Sequence, residues 1–229
     1  MKFSFLKIRL ACSAVFIVGV LAPLTAHAQY LHPKISGKQT TIRNVVILPA
    51  KVDVVRSSMK GPEGMAAESE ALSAQVEKTV AEVLASKKKV TTVASPAASG
   101  EAGAQSKYTV ADMQAKFDDL LPKVIKKRND VKQGRFTMGD EVLNLNLDKS
   151  ADAIVFIRGS GQKLTSGKKT FNLMVGGVPA FLRLQIGVVD ARTGELLLYT
   201  DPVMAGDPTK AIDKLRKALE KGFKKLPVP

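Results

Sequence analysis

Two short stretches of this chain are apolar at every residue: Val45-Val46-Ile47-Leu48, closed by Pro49, and Ala153-Ile154-Val155-Phe156-Ile157. A strand wetted on one face alternates apolar and polar residues, so a strand that is apolar throughout must be covered on both faces. Each run therefore predicts a central strand with something packed above and below it. Strands of that kind need helices to bury them, and the remaining pattern supplies helices.

After Pro49, Val52 and Val54 alternate with polar residues and extend the first strand past a break. Residues 57–64 contain Gly61, Pro62 and Gly64 and predict a loop. From about Met65 to Lys87, Leu72, Val76, Val80, Val83 and Leu84 recur on one helical face. Residues 90–93 predict a short strand, and residues 94–107, small and polar, a flexible insertion. Thr109 with Asp112 forms a capping box for a helix whose apolar face is Met113, Phe117, Leu120, Leu121 and Val124, with Pro122 predicted to kink or split it. Residues 140–149 alternate Leu143, Leu145 and Leu147 with asparagines; Asp140 as a cap points to a short helix.

The second apolar strand runs on towards Lys163, and residues 167–169 are expected to turn the chain. A hairpin follows, with Leu182, Leu184, Ile186 and Val188 on one face, Asp190 opening the turn and Gly194 closing it. Asp207 and Pro208 start a last helix with the stripe Ile212, Leu215, Leu219 and Phe223. The fold class is α/β (α+β mixed): a single mixed sheet of about five strands packed with amphipathic helices. It forms one domain over residues 44–229, behind a flexible leader at 29–43, and no internal repeat is present.

Residues 1–28 have the three regions of a secretory signal. Lys2, Lys7 and Arg9 come first, an apolar stretch runs from Ala11 to Leu24, and Ala26 and Ala28 occupy the positions a signal peptidase reads. The apolar stretch is short of the about 20 residues of a spanning helix, so no transmembrane span is expected after cleavage. Cys12 precedes most of the apolar core and is badly placed for lipidation. Cleavage removes this one cysteine, and the product must hold its fold by burial alone. The location implied is outside the cytoplasm, periplasmic or secreted. The segment carries three of the 35 Lys and Arg and none of the 21 acids, which leaves 32 bases against 21 acids, a net charge of +11. That excess predicts attraction to anionic lipid or glycan surfaces at low salt.

Composition also removes chemistries. His32 is the one histidine beyond the signal, beside Pro33 in the leader, and there is no tryptophan. Zinc centres of the histidine and cysteine type lack ligands, and Ser–His or Cys–His nucleophiles lack a base unless His32 folds back onto the domain. The stretch 159–170, GSGQKLTSGKKT, is off register for a phosphate loop by one residue and reads as a basic hairpin tip. Asp118-Asp119 and Glu68/Glu70 read as solvated faces of helices. No catalytic, cofactor or metal site is predicted, and no nucleic-acid motif is present.

Three features occur in order: Asn44-Val45-Val46-Ile47-Leu48-Pro49 before a long helix, Ala151-Asp152-Ala153-Ile154-Val155, and the hairpin through Val188-Val189-Asp190-Ala191-Arg192-Thr193-Gly194-Glu195-Leu196-Leu197. The set resembles the α/β domain shared by the TolB amino-terminal domain, the curli-secretion channel protein CsgG and the penicillin-binding-protein activator LpoB, over about residues 44–225. The resemblance implies envelope localisation, no catalysis, and action by binding an envelope protein partner or by self-association. The chain departs from it in lacking a usable lipobox and any hairpin long enough to line a pore. The candidate contact surfaces are the sheet edges and the loops around residues 57–64 and 159–169, since loops on a rigid scaffold commonly carry binding. A second candidate is the basic last helix, where Lys210, Lys214, Lys217, Lys221 and Lys224 would meet an anionic surface, with binding that falls steeply as salt rises.

Overall fold

The computed structural model describes residues 29–93, 109–145, 147, 150–210 and 212–227. The segment expected to be a signal, with Cys12, Ala26 and Ala28, and the insertion expected at 94–107 lie outside the described residues. At the centre is a long antiparallel ribbon. Strand β6 (Ala153–Leu164) pairs with β7 (Phe181–Asp190), from Ala153 opposite Asp190 to Gln162 opposite Phe181. On each side of this ribbon the flanking strand breaks at a proline, which has no amide to give to the ladder. On one side β2 (Asn44–Ile47) runs parallel to the first half of β6, and the Leu48 amide still donates to Val155. Pro49 ends it, and β3 (Lys51–Ser58) resumes parallel to the second half, from Lys51 opposite Arg158 to Ser57 opposite Leu164. On the other side β8 (Leu196–Thr200) lies antiparallel to β7, Pro202 interrupts, and β9 (Val203–Ala205) continues against Phe181–Arg183. The edges are β1 (Gln29–Leu31) on β8, β5 (Thr91–Val93) on β2 and β4 (Gly61–Gly64) on β3, nine described strands in all.

Three expectations are corrected here. The leader is part of the fold: Tyr30 is buried and stacks on Tyr199, and helix α1 (Pro33–Ser36) buries Ile35. Lys34 pairs with Glu195, and its hydrogen bond holds the Glu195 carboxyl below its usual range. Residues 57–64 are the end of β3, a turn and β4, not a loop; a glycine- and proline-bearing strand is tolerated because it is an edge. The strand count rises from about five to nine because the extension past Pro49 is a separate strand, β3, and because β1, β4 and β9, three or four residues long, hold their shape through neighbours, not through an alternation of their own.

Helix α2 (Ala66–Lys88) covers one face with Leu72, Val76, Val80, Val83 and Leu84. It also serves the hydrogen-bonding edge of β3. Ser69 and Ser73, one helical turn apart, accept from the amides of Val54 and Val52 at 2.9 Å each, and Glu77 accepts from Ala50 at 3.3 Å. Two residues of strand and one turn of helix advance by similar distances, so the ladder stays in step and edge amides are satisfied without another strand. Helix α6 (Ile212–Gly222) lies beside α2 and buries Leu215 and Leu219, with Phe223 and Leu226 beyond its end. Buried Lys88 donates to the carbonyls of Lys224 and Leu226, tying the two helix ends together, and burial lowers its pKa.

The other face carries α3 (Val110–Lys126), α4 (Arg128–Lys132) and a 3-10 turn, Asp140–Leu145. The capping box is as expected: Thr109 Oγ1 accepts from the Asp112 amide, and the Asp112 carboxylate accepts from the Thr109 amide, which lowers its pKa. Pro122 does not split α3, because it sits on the exposed side, where water can satisfy the carbonyl it leaves free. Met113, Phe117, Leu121 and Val124 are buried, and Leu120 is half-buried against the same core. Phe117 stacks on Phe156 at 5.0 Å and lies on Gly187, where a Cβ would come within 2.5 Å of the ring. In the 3-10 turn Leu145 is buried and Leu143 exposed, so residues 140–145 are helical as read, in a tighter form.

Candidate binding surfaces

The two halves of the ribbon are covered differently. Where β6 pairs with β2, both faces are buried: Val155 looks to α2, and Ile154 and Phe156 to α3. Where β6 pairs with β3, only the α2 and α6 side is buried, through Val52, Val54, Gly161, Leu182 and Leu184. On the opposite side Lys51, Asp53 and Ser160 are exposed, and Val55, Gln162, Arg183 and Gln185 are half-buried. Among the described residues no helix packs on this patch, although α3 reaches its margin. There Asp118, read from sequence as a solvated acid, holds Arg158 through both carboxylate oxygens, and Asp201 holds Arg183 at 2.9 Å. The patch is therefore a largely polar surface whose arginines are held in place by carboxylates. Beside it Tyr199, accepting from Gln185, has its hydroxyl pushed up to about 12, chiefly by burial.

The two stretches expected to make contacts meet at one end of this open half. Ser57 pairs with Leu164, and the Thr165 amide donates to the Ser57 carbonyl at 3.1 Å. The turn expected at 167–169 is instead the start of a helix, α5 (Ser166–Val175), ended by Gly176 at φ +69°. It is held by Asn172, which is buried and donates to the Val178 carbonyl. Most of its remaining surface is free: Phe171, Leu173, Met174, Val175 and, past the turn, Val178 are exposed, Leu173 by 78% and Met174 by 79%. Sequence reasoning passed over this helix because its glycine and lysines signal a turn and its apolar residues mark no buried stripe. Between α5 and the ends of β7 and β9 is an open cleft of about 300 Å³, lined by Lys163, Lys169, Asn172, Leu173, Pro179 and Asp207 among others.

The basic helix is where the sequence places it. Lys210, Lys214, Lys217, Lys221 and Lys224 are all exposed, and none makes an ion pair among the described residues. Arg216 and Glu220 instead join α6 to Glu82 and Lys87 of α2. The side chain of Ile212 lies outside the described residues. At the end of α6, Lys221, Lys224 and Lys225 line a shallow cleft with Gln29 and Thr200. Asp207 caps a turn before the helix, accepting from the Thr209 amide and hydroxyl, and the helix begins at Ile212.

His32 does fold back onto the domain. It is buried, its Nδ1 accepts from the Lys34 amide, and its Nε2 lies against Gly134 with no hydrogen-bond partner. Among the described residues no group of three or more histidine, cysteine or acidic side chains is placed to hold a metal, and no helix is long and apolar enough to cross a membrane.

Fold and surfaces together define a class: a mixed-sheet α/β protein whose distinctive exposed features are a half-open sheet, an apolar helix and a basic helix. No family model matches the chain, and no curated protein matches it. Among solved structures, a PelC dodecamer from Paraburkholderia phytofirmans overlays with a TM-score of 0.43 at 10% identity, covering 90% of this chain and 99% of that one. Lipoprotein GNA1162 from Neisseria meningitidis gives 0.34 at 12% identity, over 79% and 96% of the two chains. The LpoB C-terminal domain from Salmonella enterica gives 0.29 at 12%, over 75% and 93%. LpoB is one of the proteins the sequence pattern resembles, but overlays this loose assign neither a family nor a partner.

Proposed function

We propose that this chain is an exported, non-enzymatic protein of the cell envelope, periplasmic where the cell has two membranes, that acts by binding a protein partner or further copies of itself. The observation that carries this reading is the half-open sheet. Its fixed arginines lie among the exposed residues Lys51, Asp53 and Ser160 on one side, near the edge strand β4, while Val52, Val54, Gly161, Leu182 and Leu184 of the same strands are buried on the other. Preorganised polar surfaces of this kind suit protein contacts. The export signal and the scarcity of catalytic residue types point the same way. Ser160→Arg puts a long cation in the middle of the patch without touching the core. A crosslinking pull-down from envelope extract is expected to lose its specific partners, or its self-multimers, with this variant even after a high-salt wash. The fold should hold, since surface substitutions shift stability by about 0.5 kcal/mol or less. Recovery equal to wild type would remove the patch from the function.

A second reading is favoured by the exposed lysines of α6 and the cleft that three basic residues line at its end. It makes the protein an electrostatic binder of anionic lipid or glycan. Its contacts would be lost in high salt and abolished by replacing Lys214, Lys217 and Lys221 with Glu, changes that leave the sheet surface intact.

A further inference from the structure

Helix α5 exposes more apolar surface than its place in the fold requires. Phe171, Met174 and Val175 stand at i, i+3 and i+4 and share one side, with Leu173 and Val178 beside them. Lone exposed apolar residues need no explanation, but a set gathered on one short helix does. The charges around the set decide what could cover it. Between Asp152 and Asp190 the chain has no acidic residue, and it carries Arg158, Lys163, Lys168, Lys169 and Arg183. Lys168 lies 5.2 Å from the centre of the Phe171 ring, so cation and apolar surface are presented together. The acids on neighbouring elements are few. Asp207 is engaged by Thr209 and lies 3.9 Å from Lys163, Glu63 on β4 follows Lys60 by three residues, and Asp53 on β3 is flanked in sequence by Lys51 and Arg56.

The geometry points to α5 as a membrane-docking element that inserts Phe171, Leu173, Met174 and Val175 into the interface of an anionic phospholipid bilayer, with Lys168 and Lys169 at the headgroups. An apolar set with a basic rim matches a surface that is anionic outside and apolar a few ångströms below. A second copy of the chain is a poor occupant, because a two-fold contact would bring the same basic patch together twice. Its residues are distinct from those of the half-open sheet and from the lysines of α6.

The test uses the full chain with Cys12→Ser and Leu173→Cys, labelled with an environment-sensitive fluorophore and mixed with phosphatidylglycerol-containing vesicles or with phosphatidylcholine vesicles. A label at Lys221→Cys serves as comparison, so that any contribution of the amino terminus is common to both. The expected result is a blue shift and quenching by acyl-chain quenchers at position 173 with anionic vesicles, little change at position 221, and persistence of part of the signal in high salt. In the unlabelled protein, Leu173→Ser with Met174→Ser should weaken that α5-dependent binding about tenfold or more, with an unchanged far-ultraviolet spectrum and melting temperature. Three outcomes overturn the proposal. The first is a label at 173 that stays in water while vesicles bind through position 221. The second is binding indifferent to the double serine variant. The third is a label buried without lipid, in a dimer that the serine variant dissociates.

Discussion

Replacing Gly194 by alanine should destabilise this protein by about 3 kcal/mol or more, from two causes that add. Its backbone is at φ +70°, which alone costs a residue with a Cβ about 1 kcal/mol. The larger cause is contact: the new Cβ would lie 2.4 Å from the carbonyl oxygen of Gly139, and backbone cannot rotate away as a side chain can. The strand-like segment at Thr137 and Met138 is docked on this same turn, with the Met138 amide donating to the Gly194 carbonyl at 2.7 Å and Thr137 bridged to Glu195. Moving Gly139 therefore loosens Phe136 and Met138 from the α3-side core. Urea unfolding followed by circular dichroism measures the loss. Gly167→Ala is the control: it sits in the first turn of α5, meets nothing within 4 Å, and should be neutral or slightly stabilising. Equal midpoints for the two variants would mean that the turn is not packed as described.

Phe117→Ala should cost about 3–5 kcal/mol, the usual range for emptying a buried aromatic site. Phe117 is 1% exposed, faces Phe156, and fills the space that Gly187 leaves on β7. Three features separated in sequence meet in that contact, so little can collapse into the hole. Phe117→Leu keeps most of the volume and should lose much less. Thermal melting of the three proteins gives the order wild type, Leu, Ala; an alanine variant as stable as wild type would show that α3 does not cap this face.

Both residues lie in segments that the sequence makes legible, and the reason is local. The central strands announce themselves because burial on both faces leaves no polar residue in Val45–Leu48 or Ala153–Ile157, and the hairpin because Leu182, Leu184, Ile186 and Val188 alternate. The Thr109–Asp112 box and the Asp190–Gly194 turn are short-range chemistry, visible without a partner. What stays hidden is what depends on partners far along the chain. Gln29–Leu31 has no strand signature until β8 pairs with it, and His32 and Ile35 look like leader residues until the sheet buries them. Ser69, Ser73 and Glu77 look like ordinary helix surface; only the position of β3 makes them its hydrogen-bond partners. The basic lysines of α6 are found by counting, because exposure is what such a face already suggests. The apolar helix α5 is missed for the opposite reason. Apolar residues are read as core, and no pattern inside Phe171–Val175 says that they stay outside.

On the proposed reading, the polar face of the β3–β6–β7 sheet around Ser160 binds protein. Site-specific photo-crosslinking in living cells tests it most directly, with a benzophenone side chain placed at Ser160 and, for comparison, at Lys78 on the exposed side of α2. Discrete adducts are expected from Ser160, with a partner or with a second copy, that form equally at high salt, and none from Lys78. Adducts at neither position, or the same pattern from both, would contradict it.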